Sequence, residues 1–341
     1  MSLPSSPVAV TDRARKRHLV GLYLELSKAR LSALVLLTTA VGFVMATPTV
    51  MPGSSRIDWL RLLLTIAGTG LSAGGANALN QLLERRRDGL MHRTRNRPLP
   101  SGAMSPAHAL LFALAASYGG VALLGLAVSL QAAGLALATI LIYILLYTPL
   151  KTRSTLNTLV GAVCGAIPPM IGWVAASGNL DRGAWILGGL LFVWQIPHFF
   201  ALAWMYRDDY ARGGYKMLPG LDPTGRLTGQ VAVITSLGLL PLGLAVTLGG
   251  LAGGVFAVGS VMLGSWFVYV AARLYARPSD AGARRLFLAS IAYLPLLLCL
   301  MVLDRNTVPL HLSRPVATVT ADLDAPLPPI AAPGRSAGAD S

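Results

Sequence analysis

Apolar runs long enough to cross a bilayer follow one another along this chain almost without pause. A helix needs about 20 apolar residues to cover the hydrocarbon layer. Nine stretches approach that length: Leu31–Ala46, Trp59–Leu83, Ala107–Leu130, Ala133–Tyr147, Leu156–Ala176, Ala184–Tyr206, Val231–Leu248, Gly253–Ala276 and Leu286–Leu303. Gly and Pro interrupt several of them, so their ends are set only to within a few residues. The polar intervals are unequal. Ser129–Gly134 and Gly249–Gly254 are short and bland, whereas Glu84–Met104 and Arg207–Gly229 are long and charged. Loops held by a rigid scaffold are where function concentrates. The pattern predicts an all-α integral membrane protein of about nine transmembrane helices embedded in the lipid bilayer.

Composition supports this and excludes the alternatives. Of 341 residues, 54% are hydrophobic and 12% charged, against about 25% charged in ordinary soluble domains. That excludes a water-soluble globular protein, an acidic disordered chain and a coiled coil. The net charge of +14 would suggest nucleic acid were the basic residues clustered on a soluble face. They flank the spans instead, so no nucleic-acid partner is expected. With the N-terminus inside, only six of the 28 Lys and Arg fall outside: Arg56, Arg61, Arg182, Arg305, Arg314 and Arg335. So consistent a bias predicts a cytoplasmic N-terminus and a multi-pass protein of the inner (cytoplasmic) membrane, with both long charged loops on the cytoplasmic side. The first 18 residues are polar and basic, unlike a cleavable signal peptide. The chain divides into a basic disordered segment (1–20), a membrane domain (21–308) and a Pro/Ala-rich disordered tail (309–341). Cys164 and Cys299 lie in apolar runs and read as small core residues rather than as disulfide or metal partners.

Three groups of polar residues sit at the inner ends of spans. Asn80, Glu84 and Asp88 are spaced i, i+4, i+8, which puts all three on one side of a helix. Hard oxygen donors at that spacing suit Mg²⁺ shared with phosphate oxygens, although a solvated helix end with Arg countercharges has the same look. In span six, His198 lies eleven residues before Asp209 and shares its face if the helix is continuous; Asp208 falls off that face. A lone histidine is more often a satisfied core residue, but an ionisable group within a span is a functional candidate. Tyr147 and Lys151 share a face at the end of span four, followed by Arg153. Lys and Arg there could be plain flanking charge. Beside two acidic clusters, they would instead bind a diphosphate bridged by metal, with an isoprenoid tail in the apolar bundle.

The sequence resembles the intramembrane polyprenyltransferase superfamily and, within it, the branch that farnesylates haem. The stretches that carry the resemblance are Asn80–Asp88 with Arg93-Thr-Arg-Asn-Arg-Pro-Leu-Pro-Ser-Gly102, Tyr147-Thr-Pro-Leu-Lys151 with Asn157-Thr-Leu-Val-Gly161, Gly165-Ala-Ile-Pro-Pro169 with Gly172-Trp173, and Trp194-Gln-Ile-Pro-His-Phe199 with Asp209-Tyr210 and Met217-Leu-Pro219. It covers roughly residues 20 to 305. Glu84 stands where the superfamily usually has Asp, and Arg86 where bacterial haem-modifying members often carry a further Asp, so the site is less acidic. The resemblance implies a Mg²⁺-dependent prenyltransferase that joins farnesyl diphosphate to a vinyl group of haem b. Asn80, Glu84, Asp88 and Asp209 would be catalytic, and these four with Asp208 would be metal ligands. Tyr147, Lys151, Arg153 and Arg97 would hold the diphosphate, and His198 the haem. It also implies protein partners among downstream haem A synthase or oxidase assembly proteins. Two alternatives remain open at this stage: a sister enzyme with an aromatic or quinone-precursor acceptor, and a haem or ion transporter or assembly factor.

Overall fold

In hydrocarbon every backbone amide needs an internal partner, and a helix supplies one along its whole length. The computed structural model describes residues 19–47, 49–51, 54–55 and 57–305. The expectations for residues 1–18 and for the tail beyond 309 lie outside these. Among the described residues, 9 helices are long and apolar enough to cross a membrane: α1 (Ala29–Ala46), α2 (Trp59–Asp88), α3 (Pro106–Ala127), α4 (Leu130–Leu150), α5 (Asn157–Ser177), α6 (Arg182–Met205), α7 (Arg226–Leu248), α8 (Gly254–Ala276) and α9 (Asp280–Leu303). A short strand pair, Thr49–Met51 with Ser54–Ser55, lies between α1 and α2. The chain is an all-helical, multi-pass membrane protein.

Three boundaries differ instructively from the pattern-based reading. Helix α2 runs for 30 residues, roughly 45 Å at 1.5 Å per residue, so its last turns leave a hydrocarbon layer about 30 Å thick. Arg85, Arg86 and Arg87 occupy that last turn, where cations suit the negative end of the helix dipole. Helix α4 begins at Leu130, because Ser129 accepts a hydrogen bond from the Ala132 N–H at 3.1 Å. Helix α6 stops at Met205; Asp208 and Asp209 belong to a separate short helix, Arg207–Arg212, in whose first turn they lie. Acidic residues favour a helix N-terminus, so this pair starts a new helix rather than continuing α6.

Packing is densest where side chains are smallest. Helix α1 lies along α5 so closely that a methyl group on Gly172 would collide with the Thr39 carbonyl, and one on Gly42 with the Pro169 carbonyl. Gly75 and Gly120 play the same part between α2 and α3, against Ser117 and Ser72. Small residues let helices approach in lipid, where apolar burial supplies little net drive. Helices α6 to α9 share a second core around Leu187, Leu239, Phe256, Phe267 and Tyr293. At the end opposite the charged loops, Asp304 closes the bundle by accepting the Phe256 N–H at 2.6 Å. Cys164 is buried, whereas Cys299 points outward, so only the first behaves as a core residue.

These contacts separate two glycines. Gly172→Ala should cost about 1–3 kcal/mol through overpacking and lower the thermal midpoint in detergent by several degrees. Gly134→Ala, in α4 with no atom near the added methyl, should be neutral or stabilising by up to about 1 kcal/mol. Tryptophan-fluorescence melts of both variants check the contrast, and equal midpoints would remove the α1–α5 contact as the cause.

Candidate active site at the charged end of the bundle

The ends of α2, α4 and α6, with the two charged loops, enclose a chamber of about 950 Å³. Glu84 and Asp88 line it from α2, and Lys28, Arg93, Arg97, Lys151, Tyr210 and Tyr215 line it from the other helix ends and the loops. Asn80, Glu84 and Asp88 share one face of α2 and are all buried. The Glu84 carboxylate pairs with Lys151 Nζ at 2.7 Å, and Asp88 with Arg97 Nη1 at 2.9 Å. Each uses one oxygen; the second oxygen of each accepts no hydrogen bond among the described residues. The Asp88 backbone carbonyl also accepts the Thr94 hydroxyl at 2.8 Å, which folds the loop after α2 back over the chamber.

A local departure from α-helical geometry shapes the opposite wall. Within α4, Ile142–Tyr147 is π-helical, with the Thr148 N–H bonded to the Tyr143 carbonyl. Wide turns of this kind occur often at functional sites. Here the turn stacks Tyr143 on Tyr147 with ring centroids 5.1 Å apart, and both rings line the chamber. It also turns Thr148 toward α2, where its hydroxyl accepts Asn80 Nδ2 at 3.1 Å. Lys151 follows one turn later, its ammonium 4.5 Å from the Tyr147 ring centroid. Burial opposes the Lys151 charge, but Tyr147 and the Glu84 carboxylate outweigh it and hold its pKa well above the usual lysine range.

Spacing alone did not single out Lys28, which read as flanking charge. It sits just before α1 with φ 51°, the only non-glycine positive φ among the described residues. Strained backbone of this sort persists where the surroundings demand it. Its ammonium donates to Asn80 Oδ1 at 2.9 Å. Burial, with Lys151 and Arg97 close by, pushes its pKa down to about 7. Tyr143, too, escaped notice, because the π-turn that aims it has no signature in spacing.

Not every candidate reaches the chamber. Asp209 is buried but turned toward the first loop, accepting the His92 N–H at 3.0 Å, the Arg93 N–H at 3.3 Å and the Arg212 guanidinium. Burial works against its charge, but these donors outweigh it and hold its pKa below the usual carboxylate range. Asp208 and Arg153 are exposed and do not line the chamber. The break after Met205 removes the shared face that would have set Asp209 under His198.

His198 stands where the chamber meets a second, apolar cavity of about 240 Å³. Tyr143, Tyr147, His198 and Phe199 line both spaces and form a collar between them. The imidazole is stacked between Trp194 and Phe287, at 5.2 and 5.0 Å. Its Nδ1 is 2.7 Å from Ser290 Oγ, and that hydroxyl donates to the Phe287 carbonyl at 2.6 Å. With the serine proton committed there, Nδ1 carries the hydrogen and Nε2 is left with a free lone pair. Ser290, remote in sequence, carried no signal of this role.

Residues 35–294 match the model of the UbiA prenyltransferase family. The chain is 45% identical over 286 residues to protoheme IX farnesyltransferase of Solibacter usitatus, covering 83% of this chain and 98% of that one. It is 44% identical over 284 residues to the human mitochondrial protoheme IX farnesyltransferase, covering 83% of this chain and 62% of the human one. The fold superposes on a digeranylgeranylglyceryl phosphate synthase with TM-score 0.70 at 17% identity, covering 84% and 98% of the two chains. It superposes on an Archaeoglobus fulgidus UbiA homolog bound to DMAPP and Mg²⁺ with TM-score 0.59 at 15% identity, covering 82% and 98%.

The Asp209 clamp has a measurable consequence. Asp209→Asn keeps the side chain's size but removes the charge on which three donors converge. Charge-assisted hydrogen bonds of this kind are worth about 1.5–3 kcal/mol, so trypsin should cut after Arg93 or Arg95 about tenfold faster or more in the variant. Equal cleavage rates in detergent would mean the carboxylate does not hold the loop.

Proposed function

The chain belongs to the UbiA prenyltransferase family, and we propose from that premise that it moves the farnesyl group of farnesyl diphosphate onto a vinyl group of haem b, giving haem O and diphosphate. Its relatives of 40–45% identity over most of their common length carry this activity in their names. The observation in the structure that favours it is the junction of two unlike spaces. A basic and acidic chamber suits a diphosphate, an apolar cavity suits an isoprenoid tail, and the collar of Tyr143, Tyr147, His198 and Phe199 is where the reacting carbon would lie.

The chemistry requires the bond between farnesyl C1 and its oxygen to break, with the electron pair leaving on diphosphate. The vinyl π pair then bonds to C1, and water adds to the resulting cation beside the porphyrin and loses a proton. Lys151, Arg97 and Lys28 would hold the phosphate oxygens as cations within the chamber. The chamber residues fit Mg²⁺: Glu84 and Asp88 both line the chamber, and each has a second carboxylate oxygen, a hard donor, that accepts no hydrogen bond among the described residues. Among the described residues no three His, Cys, Asp or Glu side chains converge on one point, so a metal there would take its remaining ligands from diphosphate and water. Glu84 and Asp88 would hold the ion where it would neutralise charge developing on the leaving oxygens. Asn80 and Asp209 would support the site from outside this pair: Asn80 Oδ1 accepts from Lys28 and Tyr143 and so orients both, and Asp209 holds the first loop through the His92 and Arg93 N–H groups. Arg153, which is exposed, would attract the incoming diphosphate as a cation, whereas Asp208, also exposed, would meet it only through a metal ion that the diphosphate carries. Tyr143, Tyr147 and the surrounding bundle exclude water from the allylic carbon until the vinyl group attacks.

His198 would bind the haem iron through Nε2, since a ligating histidine typically donates its other ring N–H to a fixed acceptor. The basic excess around the charged loops supports reading them as lying on the cytoplasmic side of the inner membrane. A product haem of this kind serves terminal oxidases, which makes haem A synthase and oxidase assembly proteins the natural neighbours.

Membranes containing the protein, given haem b, farnesyl diphosphate and Mg²⁺, should yield a haem heavier by one farnesyl group plus a hydroxyl, absent with EDTA. Glu84→Gln and Asp88→Asn should each lower turnover by roughly 10²-fold, the usual loss for one electrostatic stabiliser. Prenylation of an aromatic acceptor in place of haem, or near-normal rates in both variants, would overturn the assignment. A second measurement concerns the haem itself. His198→Ala should shift the Soret band of the bound haem, and Ser290→Ala should weaken binding about 10-fold while keeping the band. An unchanged spectrum with full activity in His198→Ala would rule out iron ligation.

A further inference from the structure

Around the junction of α8 and α9 stand four arginines that the reaction does not use, Arg273, Arg277, Arg284 and Arg285. Arg273, Arg277 and Arg285 line a groove of about 570 Å³ between the two helices, at the same end of the bundle as the chamber. The groove shares no lining residue with the chamber or with the apolar cavity. Farther along the helices its walls are Trp266, Tyr269, Val270 and Leu288. Trp266, Tyr269 and Leu288 are exposed on the outer face of spanning helices, at 40%, 59% and 54%. The Arg273 guanidinium lies 5.9 Å from the Tyr269 ring centroid.

The three guanidinium groups make no ion pair among the described residues. The four carboxylates in ion pairs there are held by other cations: Asp88 by Arg97, Glu84 by Lys151, Asp280 by Arg207 and Asp209 by Arg212. Asp280, the acid nearest in the chain, also accepts Trp204 Nε1 at 2.8 Å. Plain flanking arginines would point separately into water; these three share one concave wall that continues into aromatic and aliphatic surface. Guanidinium forks match phosphate oxygens, and basic pockets between spanning helices bind anionic headgroups. A choline headgroup would add a cation to a site already carrying three.

We propose that the α8–α9 groove binds an anionic phospholipid, with its phosphate on Arg273, Arg277 and Arg285 and an acyl chain along Trp266, Tyr269 and Leu288. The inference is independent of the acceptor used in the chamber.

The test is native mass spectrometry of the full chain released from nanodiscs containing equal phosphatidylglycerol and phosphatidylcholine. Phosphatidylglycerol should be retained preferentially. Each Arg→Gln substitution should lower its retention about fivefold, in line with about 1 kcal/mol per basic residue near an anionic surface. The combined Arg273→Gln, Arg277→Gln, Arg285→Gln variant should show no preference while keeping its farnesyl-transfer rate in neutral detergent, which also reports that it is folded. Leu288→Trp, which leaves the arginines in place but fills the groove, should displace the lipid as well. Equal retention of the two lipids, a preference that survives the combined variant, or displacement by millimolar glycerol 1-phosphate would each overturn the proposal; the last would mean that the arginines take free phosphate and not a lipid.

Discussion

Charge cannot be left alone inside a membrane bundle, and the pairing of Glu84 with Lys151 is where this protein meets that constraint. Both side chains are nearly sealed from solvent, at 7% and 10% exposure, with 2.7 Å between them. Removing one partner of such a pair leaves an uncompensated buried ion, at a cost of about 3–5 kcal/mol. The pair therefore ties the end of α4 to the end of α2. The rest of the charged end is built outward from it. Asp88 and Arg97 repeat the device one turn later, Asp88 draws Thr94 inward through its carbonyl, and Asp209 takes up the two backbone N–H groups just before Thr94, those of His92 and Arg93. The second loop is held to the same frame, since the Lys216 N–H donates to the Lys151 carbonyl at 2.7 Å and Asn157 Nδ2 to the Lys216 carbonyl at 2.9 Å.

The chemistry depends on two environments meeting at one place. A leaving diphosphate needs cations and hard ligands, while an allylic carbon needs a dry, aromatic wall until its partner attacks. A single uniform pocket would satisfy one demand at the expense of the other. The π-turn in α4 resolves this by aiming Tyr143 and Tyr147 into the boundary between polar and apolar spaces. Opposite them, the stack of Trp194, His198 and Phe287 fixes an imidazole with one nitrogen engaged by Ser290 and the other free.

Helix placement rests on absent atoms as much as on present ones. Gly42 and Gly172 leave room for the backbones of α5 and α1, and Gly75 and Gly120 for those of α3 and α2; the ends of α1, α2 and α5 then join those of α4 and α6 around the chamber. Farther round the bundle, α8 and α9 flank the arginine-lined groove. Two charged regions thus sit at the same end without sharing a lining residue. In one, Lys151 and Arg97 are matched to carboxylates; in the other, the three arginines make no ion pair among the described residues.

The number of spans, the basic bias of alternate loops and the shared face of Asn80, Glu84 and Asp88 were legible from the sequence, because helix period and bilayer thickness are local constraints. The chamber's pairing was not. Spacing put Asp209 with His198 on one continuous helix, and the short helix at Arg207–Arg212 instead turned Asp209 onto the first loop. Lys28 read as ordinary flanking charge until its contact with Asn80, 52 residues away, was in view. Ser290 is 92 residues from the histidine it orients. Periodicity reports which side of a helix a residue occupies; it says nothing of which helix will face that side. That choice is made by packing of small residues and by the need of every buried charge for a partner, and both are properties of the assembled bundle alone.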